Sequence, residues 1–354
     1  MIKRIAFIIC SNGYGHLKRN LAVISSLIDI NPAIHIDVFC KPQLMQMVYT
    51  QINFKNDKHL NFHDNATSNE ISWIKEEDIT IPKYNEWSVE LKNNDVLKKA
   101  DIIISDNHVL PARVYPNVIL VGSFLWHDVN LIWNKDTSLI AKEEHDFLKT
   151  YKPDMLCLDG MVMPEVLNCT NPIKLPWFCN KFSVNKIKSN TKSILITGGG
   201  TNLLDELLCR YTMELAILVP EIQIFIDSNL YKSKQLIFYK NIKKFTFSDE
   251  DFSSLTIVVC RPGIGILTDC VKYNIPVIVI NDEYNNEIVN NAEKIEKIGI
   301  GISFSSKMPT YEMVYKTMMI LNNPSLLCSF IHKISILPTG GAKLAAEYLL
   351  NRNI

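Results

Sequence analysis

Short apolar runs that break at glycine and restart with helical spacing recur along this 354-residue chain. The sharpest example is Ile257–Cys260, which breaks at Pro262-Gly263 and Gly265 before apolar residues return every three or four positions. This succession is typical of a strand, a loop and a helix in a parallel sheet. The chain is therefore predicted to be an α/β protein.

Two further stretches follow the same succession. An apolar run over 5–10 leads into Gly13, Gly15 and His16, and helical spacing follows over 17–28. A second run, Ser193–Thr197, leads into Gly-Gly-Gly-Thr-Asn over 198–202 and helical spacing over 203–218. Glycine lets backbone approach a ligand, and a new helix presents unpaired N–H groups. These loops are therefore predicted to bind an anion, above all a phosphate.

The recurrence predicts two Rossmann-like, doubly wound domains, one over 1–172 and one over 173–340. The stretch 170–192 contains two prolines and a polar run, and it is interpreted as the hinge. The last segment, 341–354, is helical in spacing. Its entry at Gly340-Gly341 is predicted to let it cross back to the first domain.

Composition excludes several classes of protein. The 37 basic and 37 acidic residues balance, so no nucleic-acid partner is expected. The nine cysteines contain no Cys-x-x-Cys pair, which favours reduced thiols in a cytoplasmic protein over disulfides or zinc. No apolar run reaches the length of a membrane span, and no signal peptide is expected. Peripheral contact with the inner face of a membrane stays open.

Polar residues stand where apolar strands are predicted to end. His16 follows the first strand, Asp106 ends an apolar run over 101–106, and Trp126 and His127 follow a run that starts at Val118. Carboxyl ends of parallel strands meet at one edge, so these residues are predicted to share a rim. A neutral imidazole can take a proton from a hydroxyl, which makes His16 a candidate general base. The alternative for each residue is a structural role.

Three motifs resemble a known family. The stretch 13–19 (Gly-Tyr-Gly-His-Leu-Lys-Arg) resembles a Gly-x-Gly-His-x-x-Arg motif, and 257–263 with Asp269 resembles a donor-binding element. The stretch 285–292, followed by Gly-Ile-Gly over 299–301, is similar to a Glu-Gln-x-x-Asn-Ala block. These motifs resemble the GT-B glycosyltransferases of family 28, such as the peptidoglycan N-acetylglucosaminyltransferase. They also resemble the related UDP-sugar hydrolase of pseudaminic acid synthesis.

The resemblance implies the GT-B fold, with two Rossmann-like doubly wound domains facing a central cleft. It implies His16 as the catalytic base and Asp269 on a ribose. The predicted substrate-binding residues are Gly13, Gly15, Arg19, Asp106, Trp126, His127, Gly198, Gly199, Gly200, Thr201, Asn202, Phe247, Arg261, Gly263, Gly265, Thr268, Asp269 and Glu287. Two departures concern the donor: Asp269 stands where the transferase has glutamate, and Ile288 replaces a polar residue.

The activity implied is that of an inverting, metal-independent glycosyltransferase in cell-surface polysaccharide biosynthesis. It would move a sugar, of the N-acetylated hexosamine type, from a UDP-sugar to an acceptor hydroxyl. No cofactor and no metal are expected, because backbone amides and a helix end would stabilise the leaving diphosphate. The acceptor is expected to be a sugar, a lipid-linked saccharide or a polypeptide.

Three alternatives use the same residues. Water could replace the acceptor, which would make the protein a UDP-sugar hydrolase. A UDP-sugar 2-epimerase would need further acids near the sugar, and a nucleotide-binding sensor would show no turnover. The length of the chain weakly favours transfer over hydrolysis. The motifs do not choose UDP over CMP or GDP.

Overall fold

The computed structural model describes residues 2–10, 13–42, 59–67, 79–129, 134–182, 192–200, 202–233 and 235–352. The chain divides into two compact units, 1–178 with 340–354, and 179–339. Each unit is built on one parallel sheet with helices between its strands. The predicted α/β class is confirmed, whereas the predicted central cleft stays a prediction.

The first unit contains a seven-stranded parallel sheet in the order β3-β2-β1-β4-β5-β6-β7. Its strands are β1 Arg4–Ile8, β2 His35–Phe39, β3 Leu60–His63, β4 Ile102–Asp106, β5 Val118–Val121, β6 Asp154–Leu158 and β7 Asn171–Leu175. Every residue of β4 and β5 is buried, as expected of strands that are covered on both faces. The strand order reverses between β1 and β4, and open α/β sheets bind ligands beyond the carboxyl ends of strands at such a point.

The helices of the first unit begin with α1, Tyr14–Ile30, which buries Leu17, Leu21 and Ile24 at helical spacing. The others are α2 Ile81–Asn93, α3 Asp95–Lys98, α4 Leu110–Val114, α5 Lys135–Tyr151 and α6 Pro164–Cys169, with a 3₁₀ turn at Trp126–Asp128. In α2, Trp87 is 1% exposed, so its indole belongs to the core.

The second unit repeats the plan with a six-stranded parallel sheet in the order β10-β9-β8-β11-β12-β13. Its strands are β8 Ser193–Thr197, β9 Gln223–Ile226, β10 Ile242–Lys244, β11 Ile257–Cys260, β12 Val277–Asn281 and β13 Gly301–Ser305. Its helices are α7 Asp205–Leu218, α8 Ser228–Tyr231, α9 Asp249–Ser254, α10 Ile264–Tyr273, α11 Asn286–Ile298, α12 Thr310–Leu321 and α13 Pro324–Ser335, with a 3₁₀ turn at Leu236–Phe238. The strand order reverses between β8 and β11, so both glycine loops of this unit follow the strands at its reversal point.

The predicted hinge over 170–192 is wrong at its start, because Asn171–Leu175 forms strand β7 and pairs with β6. A proline has no N–H to donate, but Pro172 lies on an edge strand, where one side of the backbone needs no partner. The boundary between the two units therefore falls after Phe178, six residues beyond the predicted position at 172.

The final helix, α14 Gly341–Leu350, belongs to the first unit and packs against α1. The N–H of Gly341 donates to the carbonyl of Trp177 at 3.0 Å. A Cβ on Gly341 would lie 2.1 Å from the Pro176 carbonyl oxygen, so only glycine allows this approach. At the far end, the Tyr348 hydroxyl donates to Asp154 at 2.8 Å.

Two helix starts differ from the sequence interpretation, and both move a predicted site residue. Helix α1 begins at Tyr14 rather than Leu17, which places His16 in its first turn. Helix α10 begins at Ile264 rather than after Gly265, so Asp269 lies in its second turn. All nine cysteines are free thiols, and no helix in the described part of the chain is long and apolar enough to cross a membrane.

Candidate active site

His16 lies just past the carboxyl end of β1, on the first turn of α1. The turn into the helix is made by Gly13, whose φ of 146° is a conformation that residues with a side chain rarely adopt. This turn directs the imidazole toward the end of β4. There its Nδ1 lies 2.7 Å from Oδ1 of Asp106. The sequence prediction that these two residues share a rim is therefore met in the structure.

Asp106 is fully buried and accepts hydrogen bonds from three side chains. Arg19 donates from Nη2 to Oδ1 at 2.8 Å, and Asn20 donates from Nδ2 to Oδ2. Asn20 also donates to the carbonyl oxygen of His16 at 2.8 Å, which fixes the helix turn. Burial raises the pKa of Asp106, but the charges and hydrogen bonds of Arg19 and His16 outweigh burial and bring it to about 2.

The protonation of Asp106 decides which nitrogen of His16 can act as a base. An ionised carboxylate only accepts hydrogen bonds, so Nδ1 of a neutral His16 must carry the proton. The lone pair then lies on Nε2, which has no hydrogen-bond partner among the residues described. The side chain is 16% exposed, so part of the imidazole reaches solvent. The arrangement can remove a proton from a hydroxyl that approaches Nε2.

Trp126 and His127 do not join His16, although the sequence placed all three on one rim. Trp126 is 5% exposed and packs edge-on against Phe124 in the hydrophobic core. His127 points to a different group, and its Nε2 lies 2.8 Å from Nδ1 of His145. Burial, with a smaller effect from His145, lowers the pKa of His127 to about 4. Their predicted contact with substrate stays a prediction.

In the second unit, the glycine loop after β8 is held by Asp227, which follows β9. Oδ2 of Asp227 accepts from the Thr197 hydroxyl at 2.7 Å and from the N–H of Gly198 at 3.2 Å. The N–H of Gly199 donates to Thr197 Oγ1 at 3.2 Å. Both amides therefore already have acceptors, so a diphosphate would have to find its donors elsewhere in this conformation. Gly200 and Asn202 are exposed, and Thr201 lies outside the described residues.

The loop between β11 and α10 presents a helix N-terminus instead. Gly263 is the N-cap, and no side chain caps this end of the helix. A Cβ on Gly263 would meet no atom within 4 Å, so the space beside this backbone is open. The N–H groups of the first turn, which includes Gly265, are suited to an anion. The Thr268 hydroxyl is engaged by the carbonyl of Ile264 at 2.7 Å.

This loop and the start of α11 are held in place by the side chains of Asp282, Asn285 and Asn291. Nε of Arg261 donates to Asp282 at 2.9 Å, and the other oxygen of Asp282 accepts from backbone N–H groups of Tyr284 and Asn285. Asn285 caps α11, the helix that carries Glu287 in its first turn. Asn291, which is 0% exposed, donates to the carbonyl oxygen of Pro262 at 2.9 Å.

Phe247 is the last of the residues predicted to bind the donor substrate. Its φ of 60° is unusual for a bulky side chain, and its ring packs against Phe245 at 4.9 Å. The stabilising residues absent from the predicted site set are Asn20, Asp227, Asp282, Asn285 and Asn291, of which the last two lie in the 285–292 motif. The signal for Asp227 and Asp282 was available, because each stands within two residues of the end of a mostly apolar run.

A family model and solved structures resemble this chain. Residues 193–326 match the glycosyltransferase family 28 C-terminal domain. The chain is similar to the glycotransferase of kitacinnamycin (14% identity, TM-score 0.67, 99% of each chain covered). It is also similar to MurG of Acinetobacter baumannii (13% identity, TM-score 0.61, 99% of this chain and 100% of that one). A third is the spinosyn rhamnosyltransferase SpnG with thymidine diphosphate (12% identity, TM-score 0.63, 99% of this chain and 100% of that one).

At these identities the structural likeness shows the fold, which is the GT-B fold that the sequence motifs implied. The match to the family 28 C-terminal domain, together with this fold, indicates a glycosyltransferase. More particularly, the match lies in the second unit and spans both loops at the strand reversal. No curated protein matches the chain.

Proposed function

We propose that this glycosyltransferase moves a sugar from a nucleotide-sugar donor to an acceptor hydroxyl with inversion at the anomeric carbon. The family 28 domain in the second unit supports a nucleotide-sugar donor. SpnG, which has the same fold, has been solved with thymidine diphosphate and with the spinosyn aglycone. By analogy, we infer separate sites for a nucleoside diphosphate and for an acceptor.

The observation that carries this proposal is the hydrogen bond of 2.7 Å between His16 Nδ1 and Asp106. Because Asp106 is fully buried and also bonded to Arg19 and Asn20, it holds the imidazole in one orientation and one tautomer. A base that is fixed in this way needs little reorganisation when the acceptor arrives. General-base catalysis of this kind contributes about 10²–10⁴-fold to a rate.

In the proposed step, Nε2 of His16 takes the proton of the acceptor hydroxyl as its oxygen attacks the anomeric carbon. The new glycosidic bond forms while the bond from that carbon to the diphosphate oxygen breaks. The electron pair of the broken bond leaves with the nucleoside diphosphate. The attack comes from the side opposite to the leaving group, so the configuration is inverted.

The leaving diphosphate is assigned to the amino end of α10. Its N–H groups have no side-chain cap, and the positive end of the helix dipole favours a developing negative charge. Arg261 adds a cation on the preceding loop, where Asp282 fixes its direction. We propose that these groups make a catalytic metal unnecessary.

The finer identity of the substrates rests on the sequence motifs. We propose UDP as the nucleotide, with Asp269 on its ribose and the backbone near Phe247 on its base. The sugar is assigned to the N-acetylated hexosamine type, with Glu287 on its hydroxyls. The acceptor is a sugar, a lipid-linked saccharide or a polypeptide. Nine free thiols favour a reducing compartment, so we place the activity in the cytoplasm.

A panel of UDP-, CMP- and GDP-sugars, incubated with the pure protein with and without acceptors, tests the proposal. Transfer predicts nucleotide release that depends on an acceptor and a product of inverted anomeric configuration by NMR. Free sugar at catalytic speed without acceptor would identify a hydrolase instead. Solvent deuterium in recovered donor would identify an epimerase, and tight nucleotide binding without any product would identify a sensor.

A further inference from the structure

Four side chains with metal-binding chemistry converge in the first unit, on elements other than those that carry His16 and Asp106. They are His127 on the 3₁₀ turn, His145 on α5, and Glu165 and Cys169 on α6. One ligand atom from each lies within 4.8 Å of every other. Cys169 is buried and the other three are half-buried, so the cluster is largely shielded from solvent.

The contacts of His145 show why this cluster differs from an ordinary hydrogen-bond network. Its Nδ1 lies 2.8 Å from His127 Nε2, 3.7 Å from Glu165 Oε1 and 3.8 Å from Cys169 Sγ. A ring nitrogen has only one proton or one lone pair in the ring plane, so it can serve one of these three partners. A cation placed among the four atoms would serve all of them together.

We propose that His127 Nε2, His145 Nδ1, Glu165 Oε1 and Cys169 Sγ form a binding site for one Zn²⁺ ion. Tetrahedral zinc with bonds of about 2.0–2.3 Å holds its ligand atoms roughly 3.3–3.8 Å apart. The four ligand atoms need to shift by only a few tenths of an ångström, up to roughly 1 Å, to reach this spacing.

The ligand set selects zinc by charge and by type. Two imidazole nitrogens, a carboxylate and a thiolate carry two negative charges, which neutralise one Zn²⁺ ion in a partly buried place. Cys169 Sγ now donates to Glu165 Oε1 at 3.0 Å, and metal binding would release this proton. Mg²⁺ and Ca²⁺ prefer all-oxygen ligands, so they fit this set poorly.

This zinc has a structural role, and it does not depend on the proposed reaction. It ties the turn Trp126–Asp128 to α5 and α6, which are joined at the cluster by hydrogen bonds of these side chains. With four protein ligands the site is closed, as structural zinc sites are. Its ligands come from three separate elements, so no short spacing in the sequence predicts this zinc site.

The test begins with full-length protein stripped of metal by a chelator and titrated with Zn²⁺ against a chromophoric competitor. We expect one Zn²⁺ per chain and a rise in melting temperature on binding. X-ray absorption of the zinc-loaded wild type should show one sulfur at about 2.3 Å and three nitrogen or oxygen atoms at about 2.0 Å. Because this measurement uses no variant, it does not depend on whether a variant folds.

Variants then locate the ion. Cys169→Ser and Glu165→Gln should each weaken Zn²⁺ binding by roughly 100-fold or more, since each removes one of four ligands. Cys157→Ser, at another buried thiol of the same unit, should leave affinity unchanged.

Three results would overturn the site. The first is the absence of stoichiometric binding in the wild type. The second is a zinc spectrum without a sulfur ligand. The third is that Glu165→Gln and Cys169→Ser bind Zn²⁺ as tightly as Cys157→Ser does. Any bound ion would then lie elsewhere on the chain.

Discussion

Nδ1 of His16 lies 2.7 Å from Oδ1 of the fully buried Asp106. The first unit contains a close chemical counterpart: Asp37, which is also 0% exposed, accepts from His63 Nε2 at 2.8 Å and from Arg4 Nε at 2.7 Å. Both carboxylates therefore pair with one histidine and one arginine. They differ in position, because Asp106 ends the strand at the sheet's reversal point and Asp37 lies within β2.

This pair of clusters supplies a matched test of the catalytic base. Asp106→Asn should lower turnover by about 10²–10⁴-fold, because an amide can donate to Nδ1 and leave the proton on Nε2 of His16. His16→Ala should cause a similar loss, and the double variant should be no worse than either single one. Separate measurements should show a large loss of turnover and little change in nucleotide affinity.

Asp37→Asn is the control for that experiment. It makes the same change in a buried Asp–His–Arg cluster, so it should cost stability but change turnover less than about tenfold. Equal losses of turnover in Asp37→Asn and Asp106→Asn would mean that both act through folding. The assignment of His16 as the base would then be unsupported.

Gly263→Ala tests the amino end of α10 as the diphosphate site. A Cβ there meets no protein atom within 4 Å and the φ of −72° suits any residue, so stability should fall by no more than about 1 kcal/mol, the cost of alanine in place of glycine at an N-cap. If a diphosphate approaches this backbone, the added methyl group should weaken donor binding at least several-fold. Calorimetric titration with the nucleoside diphosphate measures this. Unchanged affinity would move the diphosphate away from this loop.

Relative to the wild type, Glu144→Gln should stabilise the first unit more at neutral pH than at acidic pH. Burial raises the pKa of Glu144 to about 7. Its carboxyl group accepts a hydrogen bond from the Tyr84 hydroxyl at 2.6 Å. The protonated acid stabilises the fold fully below its ordinary pKa of about 4.3, and this contribution is lost as pH rises through 7. The advantage of the variant should grow by about 1.4 kcal/mol per pH unit at most, then level off.

Urea unfolding at pH 5, 6, 7 and 8 checks this dependence. Glu143→Gln is the matched comparison, because Glu143 is exposed, pairs with Arg113 at 3.2 Å and makes only the smallest contribution to the raised pKa of Glu144. Its effect should vary with pH much less than that of Glu144→Gln. A flat difference between Glu144→Gln and the wild type would show that Glu144 is ionised in the folded protein.

Gly341→Ala should destabilise the first unit by roughly 1–3 kcal/mol, because its Cβ would collide with the carbonyl oxygen of Pro176 at 2.1 Å. The backbone at the clash cannot rotate away as a side chain could. Thermal unfolding should show the loss, with Gly263→Ala as the unstrained comparison. A melting temperature equal to that of the wild type would mean that α14 docks without this close contact.

Local pattern was enough for much of the fold. Strand Ile257–Cys260 and strand Ser193–Thr197 are found at their predicted bounds, because short apolar runs between glycine breaks leave no other regular structure. The pattern failed at Asn171–Leu175, where prolines indicated a hinge. Only the position of this strand at the edge of the sheet, which no local signal reports, makes a proline acceptable there.

For the site, the sequence by itself determined which residues follow the ends of strands, and thereby His16, Asp106 and the loop at Gly263. Tertiary structure decided the partners. It joined Asp106 to His16 across 90 residues, bonded the amides of Gly198 and Gly199 to Asp227 and Thr197, and turned His127 toward His145. Local spacing fixes the element on which a side chain lies, but the direction of that side chain depends on packing between elements distant in sequence.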